Sequence, residues 1–311
     1  MAIDSVQLEK HRKRLVGHCY RMLGSAVDAE DAVQETMLRA VRSADRFEQR
    51  SAVSTWLYRI ATRVCLDALA RRSRRYLPNE EGDLFEGGEP SLVQRESEHW
   101  LEPIPDAWIR NPADWAETKQ RVHLAFVVAV QKLSPTQRAA FLLTQVLELS
   151  AQEAAATLET SVASVNSAVQ RAKANLSGVE FGHQTGEVTE EQHRCARRFQ
   201  EAFERYDMVA LAQLLTDDVT MSMPPYTLWL QGIDSVVGWN TGPGAGCRGS
   251  RFVPVKANGQ LAFAQYRQGG QQPWSLVTLG FRGGKVETLT YFLHTERIFS
   301  TFGHRSATGQ S

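Results

Sequence analysis

The chain has 311 residues, and its 35 Lys plus Arg balance 35 Asp plus Glu, so the formal net charge is zero. That length allows two or three domains, each able to bury a core of its own. The balance excludes a uniformly basic nucleic-acid binder but not a local patch: Arg71, Arg72, Arg74 and Arg75 crowd together, while residues 79–117 hold many carboxylates and few cations. Cys19, Cys65, Cys195 and Cys247 are far apart and form no C-x-x-C pair or zinc-like cluster, so the expectation is reduced thiols, no metal and no cofactor. No apolar run approaches the ~20 residues that span a bilayer, and no signal-peptide core opens the chain, which predicts a soluble cytoplasmic protein without a membrane partner.

Residues 5–77 read as helical, without a proline until Pro78. In the helix over 28–42, Ala29, Ala32, Val33, Met37, Ala40 and Val41 form a buried stripe. Asp31, Gln34, Glu35 and Leu38 form an opposite acidic stripe, suited to a basic protein partner or simply to solvent. The next helix, 54–76, repeats Leu57, Ile60, Ala61, Val64, Cys65 and Ala68 at core spacing. Trp56 and Tyr58 lie near its start, beside Arg59, Arg63, Arg71, Arg74 and Arg75. Rings beside cations suit single-stranded nucleic acid, in which bases stack and phosphates pair. The loop 47–53 before it is shaped to receive an extruded base.

Residues 78–117 turn acidic and rich in Gly and Pro, which is linker composition. Helical periodicity resumes over 118–177. Ser134-Pro135-Thr136-Gln137 and Ser150-Ala151-Gln152-Glu153 are capping-box starts, and a third helix begins near Ser161. Val165, Ala168, Val169, Ala172 and Leu176 give that helix one buried face, and Ser164, Asn166, Ser167, Gln170, Arg171 and Lys173 lie off it. Asn and Gln pair with adenine, Arg with guanine and Lys with phosphate, so the face suits a major groove. A solvated face on a plain three-helix bundle fits the same residues. A second linker is expected over 178–190.

From 191 the pattern changes to an amphipathic helix (191–206), a short helix (209–215) and strand-like runs at 219–223, 227–230, 251–255, 261–268, 274–282 and 285–293. Helices followed by a strand meander imply an α+β domain.

The segments DAEDAVQETMLRAVR (28–42), STWLYRIATRVCLDALARRSRR (54–75) and the helix-turn-helix of 133–176, in this order, resemble the extracytoplasmic-function sigma factors of the sigma-70 family. The resemblance implies that Asp28, Asp31, Gln34 and Glu35 dock on core RNA polymerase. It places Trp56, Tyr58, Arg59, Thr62, Arg63 and Arg71, with the loop 47–54, on the melted minus-ten element of a promoter. It places Ser164, Asn166, Ser167, Gln170, Arg171 and Lys173 on the double-stranded minus-thirty-five element. Arg63 stands where the family commonly has Asn, and Asn166 where Arg is frequent, so base preference does not carry over. In the family an acidic linker threads through polymerase channels, and Trp100-Leu101-Glu102-Pro103-Ile104-Pro105-Asp106 is similar to a linker motif of members with a long C-terminal extension.

Residues 191–302 resemble a SnoaL-like domain, the cone-shaped fold shared with ketosteroid isomerases. The implied architecture is multidomain: two all-α domains (1–77 and 118–177, the second a helix-turn-helix) separated by the linker 78–117, then an α+β SnoaL-like barrel over 191–305. Met221, Met223, Trp229, Trp239, Tyr266, Trp274 and Phe292 are the candidates to line its apolar pocket, each with ordinary core packing as the alternative. Such a domain is expected to regulate the sigma module through a small ligand or an intramolecular contact. Asp218, Tyr226, Tyr266 and His294 are acid or base candidates by residue type alone, and no catalysis is expected. Two other readings remain: a helix-turn-helix regulator that acts without recruiting polymerase, and a SnoaL-type small-molecule enzyme.

Overall fold

The structure, a computed structural model, describes residues 8–44, 52–71, 74–109, 123–177, 188–293 and 295–304. Residues 47–51 of the expected loop 47–53, most of the second linker, His294, and Arg72 lie outside them. The chain forms two compact units, Met1–Arg75 with Asp106–Val179, and Tyr76–Pro105 with Glu180–Ser311.

The first unit is helical. Helices α1 (Arg12–Leu23), α2 (Ala26–Arg42) and α3 (Val53–Leu69) pack on one another. Leu15, Val16 and Cys19 of α1, Ala29 and Val33 of α2, and Leu57, Ala61 and Cys65 of α3 are almost wholly buried at helical spacing. Truncating a residue such as Leu57 to Ala therefore costs ~2–5 kcal/mol. Gly24 ends α1 at φ 72°, which lets Ser25 cap α2 by accepting from Asp28 N at 3.2 Å.

Helices α4 (Leu124–Gln131), α5 (Pro135–Phe141), α6 (Ala151–Leu158) and α7 (Val162–Leu176) complete the unit. The expected starts are present. Ser134 and Gln137 exchange capping bonds at 3.4 and 3.3 Å, Ser150 and Glu153 at 3.2 and 2.9 Å, and Ser161 caps α7 from Ser164 N at 3.1 Å. Glu159, at φ 52°, turns the chain from α6 to α7. Ala140, Leu143, Ala154, Ala155, Val165 and Ala168 form the small core that fixes their angle.

The second unit is α+β. Its elements are α8 (Glu190–Arg205), α9 (Met208–Ala212), β1 (Leu215–Ser222), β2 (Trp229–Gln231), α10 (Ile233–Thr241), β3 (Arg251–Ala257), β4 (Gln260–Arg267), β5 (Gln272–Arg282), β6 (Lys285–Phe292) and α11 (Thr295–Thr301). The six strands run β2-β1-β6-β5-β4-β3, parallel only between β1 and β6. Register shifts at Gln265/Tyr266 and Gly280/Phe281 curve the sheet. Its concave face packs Phe252, Phe263, Val277, Phe281 and Leu289 against Phe199 and Phe203 of α8. This is the α+β architecture that the SnoaL resemblance implies.

Two sequence expectations change here. The short helix ends at Ala212 rather than 215, because Leu215 already pairs with Val286 of β6. Helix α10 was not expected; Gly232 at φ 85° starts it, and it buries Val236 and Trp239.

The acidic segment is no open tether. Phe85 N donates to Trp229 O at 2.8 Å and Trp229 N to Asp83 O at 3.2 Å, so residues 83–85 extend the sheet beyond β2. Thr227 N donates to Val93 O and Arg95 N to Pro225 O. At the far end Asn258 N donates to Ile104 O, Ile104 N returns a bond to Asn258 Oδ1 at 3.0 Å, and Glu102 pairs with Arg297 at 2.6 Å. Trp100, Leu101 and Ile104 are buried. Gly82 is a close approach: a β-carbon there would lie 1.6 Å from Thr227 O.

Candidate nucleic-acid interface

Helix α7 projects the expected polar face. Val165, Ala168, Ala172 and Leu176 are buried, while Ser164, Asn166, Gln170, Arg171 and Lys173 are exposed and Ser167 is half-buried. Arg171 donates to Ser167 Oγ at 2.5 Å, one turn back, which orients its guanidinium along the helix. Ser164 differs from the rest. Its backbone N–H and hydroxyl are both engaged by Ser161, so its first role is to close the helix start.

On α2, Asp31 and Gln34 are exposed and Glu35 is half-buried, in an ion pair with Arg39 at 2.7 Å. Leu38 is 52% exposed on the same side, and Val41, expected in the buried stripe, is instead 59% exposed beside it because helical phase carries it round to the Gln34 side. An acidic stripe with two exposed aliphatic residues has the composition of a protein-docking face. Asp28 does not belong to it. Only 7% exposed, it pairs with the equally buried Arg75 at 2.6 Å, so its charge ties α2 to the chain beyond α3. The reason is helical phase: Asp28 lies beside Ala29 and Ala32, on the core side.

The α3 face divides similarly. Trp56 and Arg63 are half-buried, and Arg59 and Arg71 are exposed. Tyr58 and Thr62 are turned inward, against expectation. Thr62 Oγ1 bonds His18 Nε2 at 2.9 Å, and the Tyr58 ring meets the His18 ring edge-on at 5.5 Å. Both follow the phase of Leu57 and Ala61 and pack in the helical core. His18 is wholly buried; burial first, then the Arg21 charge, lowers its pKa to about 3, so it is neutral.

Residues that sequence reasoning passed over join the two halves of this unit. Arg138 of α5 is 2% exposed and donates to Met22 O, to Gln131 Oε1 at 2.6 Å, and to Gln131 O and Leu133 O at 3.0 and 3.2 Å. Gln131 Nε2 donates to Arg21 O at 3.1 Å. Arg21 and Met22 end α1, where carbonyls lack helical partners and the helix dipole is negative, so Gln131 and Arg138 cap α1 from the helix-turn-helix half. Burial lowers the Arg138 pKa to about 10, leaving it charged at neutral pH. Arg63 of α3 forms an ion pair with Glu159, the residue between α6 and α7. The signal for Arg138 and Gln131 was slight: two long polar side chains in otherwise apolar runs.

In the second unit, Met221, Met223 and Trp239 lie in the concave core. Trp229 faces the linker instead, its Nε1 donating to Gly82 O at 3.2 Å. Tyr266 lies after the β4 bulge and faces α11, packing on Phe299 and bonding His304 at 2.8 Å. Trp274 lies under the Arg267 guanidinium, and Phe292 is buried. Asp218 is exposed on β1 and bonded to Arg282, which lowers its pKa and keeps it ionised. Among the described residues no three His, Cys, Asp or Glu side chains gather as metal ligands, and no helix is long and apolar enough to cross a membrane.

Comparison with known proteins assigns both helical parts. Residues 8–75 match the Sigma-70 region 2 family and residues 123–176 match Sigma-70, region 4. Over 309 residues the chain is 39% identical to the ECF RNA polymerase sigma factor SigG of Mycobacterium tuberculosis, covering 96% of this chain and 83% of that protein. The chain belongs to the extracytoplasmic-function sigma factors. A second relative, the ECF RNA polymerase sigma factor SigE of Mycolicibacterium smegmatis, is 29% identical over 54% of this sigma factor and 58% of its own length. The crystal structure of the Mycobacterium tuberculosis sigma factor SigJ superposes with a TM-score of 0.64 at 22% identity, covering 97% of this chain and all of that one, so the fold is shared through the C-terminal unit. The protein is an RNA polymerase sigma factor, with α1–α3 as region 2 and α4–α7 as region 4.

Proposed function

We propose that this sigma factor docks on core polymerase through Asp31, Gln34, Glu35 and Leu38. Trp56, Arg59, Arg63 and Arg71 then engage the melted minus-ten element, and Asn166, Ser167, Gln170, Arg171 and Lys173 engage the minus-thirty-five element. Its C-terminal domain acts as a restraint on the linker. The observation that carries this reading is the strap formed by Tyr76–Pro105 on the sheet. The two promoter elements lie roughly 25 base pairs apart, about 85 Å of duplex. Residues 76–122, between the two matched regions, reach at most about 160 Å when fully extended. Reading both elements therefore needs a linker stretched to about half that reach, whereas the strap holds residues 76–105 folded on the sheet. The clasp of Arg138 and Gln131 on α1 also favours a closed arrangement in which regions 2 and 4 touch.

The C-terminal domain works in this reading by contact and not by catalysis. An isomerase-type base needs a carboxylate whose pKa is raised in a dry site, whereas Asp218 is solvated and paired with Arg282.

Transcription on promoter fragments with core polymerase tests the reading, comparing the full chain with a chain ending at Ser177. Promoter-specific transcripts from both, with more from the truncated form, are expected. Absence of specific transcripts from either protein across genomic fragments would leave only a helix-turn-helix regulator. Equal output from both would remove the restraint.

A further inference from the structure

Two nucleophilic side chains in region 2 take no part in docking, promoter reading or the linker strap. Cys19 of α1 and Cys65 of α3 are free thiols, each wholly buried. They meet where the two helices pack, the Cys65 thiol within hydrogen-bonding reach of Cys19. The neighbouring His18 and Thr62 bond across the same seam at 2.9 Å, so the register of α1 on α3 holds the two sulfurs opposite each other. The remaining thiols, Cys195 and Cys247, belong to the other compact unit.

Region 4 keeps this pair quiet. The Arg138 guanidinium of α5 lies close enough to Cys65 for its charge to act on the thiol. Arg138 is itself buried and anchored on Met22 O, three residues beyond Cys19, and α3 packs against both α5 and α6. Burial raises the Cys65 pKa well above the ordinary thiol value; Cys19 adds to the rise and Arg138 opposes it. A protonated thiol sealed from solvent is a poor nucleophile. When regions 2 and 4 separate to reach their promoter elements, Arg138 leaves Cys65 and the end of α1, and small solutes gain the seam.

We infer that Cys19 and Cys65 form a dithiol–disulfide site that a hydroperoxide oxidises when region 4 lifts from region 2. One thiol, as its thiolate, attacks the peroxide; the O–O bond breaks, an alcohol or water leaves, and the sulfur becomes a sulfenic acid. The second thiol attacks that sulfur, the S–S bond forms and water departs. Two thiols and one peroxide thus give one disulfide, one alcohol or water, and one further water. Because the partners already face each other, closure within the chain outruns capture by a thiol from solution. The bond draws the sulfurs to about 2.05 Å and closes the loop 19–65, stapling α1 to α3 around the docking helix α2. In a reducing compartment such a disulfide is transient and reports an oxidant. The gating rests on the proposed separation of regions 2 and 4; the pairing of the thiols does not.

Mass spectrometry of the full chain tests this without any substitution. The protein is exposed to hydrogen peroxide, denatured in urea with N-ethylmaleimide and cut with trypsin, and the diagnostic product is Leu15–Arg21 joined to Val64–Arg71. That product should form about tenfold faster in a complex with core polymerase and a promoter fragment than in the free chain, and dithiothreitol should remove it. Glu159→Gln, which removes an exposed tie between regions 4 and 2, should speed it severalfold in the free chain. No joined peptide in a complex that yields specific transcripts, an equal rate in free and bound chains, or Cys19 or Cys65 joined to Cys195 or Cys247 would each overturn the inference. Missing transcripts would fail the promoter reading instead, and the Glu159→Gln chain would then decide the thiol pair, since an unchanged rate there overturns it.

Discussion

Arg63, on the helix proposed to engage the minus-ten element, is ion-paired with Glu159, which joins the two helices of the helix-turn-helix. A residue proposed for one promoter element is thus held by the module proposed for the other. The Arg63 side chain is 38% and the Glu159 side chain 68% exposed, so solvent screens the pair and it contributes ~0–1 kcal/mol. Glu159→Gln keeps the shape and removes the charge. It should raise open-complex formation by up to about fivefold and leave the melting temperature nearly unchanged, whereas Arg63→Ala should lower it. Permanganate footprinting at limiting sigma factor measures both, and a drop with Glu159→Gln would mean that the pair assists promoter opening.

The helix starts, the polar face of α7 and the acidic stripe of α2 were legible because capping and helical phase are local properties. Asp28, Tyr58 and Thr62 were misplaced because residue type was weighed above phase: each is polar or aromatic, yet each follows its apolar neighbours inward. The strap was illegible for a different reason. Its bonds run largely from backbone to backbone between Asp83 and Trp229, or Ile104 and Asn258, and side-chain pattern does not encode such pairings. The acidic, Gly- and Pro-containing composition that marked a linker describes its solvent side, and only Trp100, Leu101 and Ile104 hinted at burial.

Gly82→Ala tests the strap at its tightest point. The added methyl would lie 1.6 Å from the Thr227 carbonyl, which no rotation relieves, so the segment around Asp83 and Phe85 must lift from β2. Faster limited proteolysis between 80 and 96, with transcription raised toward that of the chain ending at Ser177, is the expected outcome. Unchanged cleavage would show that the strap re-seats, and faster cleavage with unchanged transcription would separate strap from restraint.

The Asp28–Arg75 pair is a stability element. Removing one partner breaks a buried, hydrogen-bonded ion pair, so Asp28→Ala should cost about 3–5 kcal/mol in urea unfolding. Asp31→Ala on the exposed stripe should change stability by less than about 0.5 kcal/mol while weakening association with core polymerase. The reverse pattern would return Asp28 to the docking face.

Acid should destabilise the helical unit through His18. In the folded chain its pKa is about 3, against an ordinary 6.5. Above 6.5 both folded and unfolded chains carry it neutral, and its contribution is constant. Below 6.5 the unfolded chain takes up a proton that the folded chain refuses, so stability falls progressively until about 3, by up to ~1.4 kcal/mol per pH unit. His18→Gln leaves a group able to bond Thr62 and abolishes that titration. Between pH 7 and 5 the parent should lose up to ~2 kcal/mol more than the variant in denaturant unfolding. An equal loss in both proteins would show that His18 protonates in the folded state.

Arg171 provides the test of groove reading. It is exposed on α7 and steadied by Ser167, and a bidentate contact to guanine is worth ~1–3 kcal/mol of discrimination. Arg171→Ala should therefore weaken binding to promoters carrying the minus-thirty-five element and leave affinity for unrelated duplex little changed. Lys173→Ala should weaken both alike and flatten the salt dependence by about one unit of slope, as loss of a phosphate contact does. Fluorescence anisotropy with core polymerase at several salt concentrations separates the two residues. If Arg171→Ala loses affinity equally on promoter and unrelated DNA, its contact is to phosphate, and Asn166 and Gln170 become the residues to test for base reading.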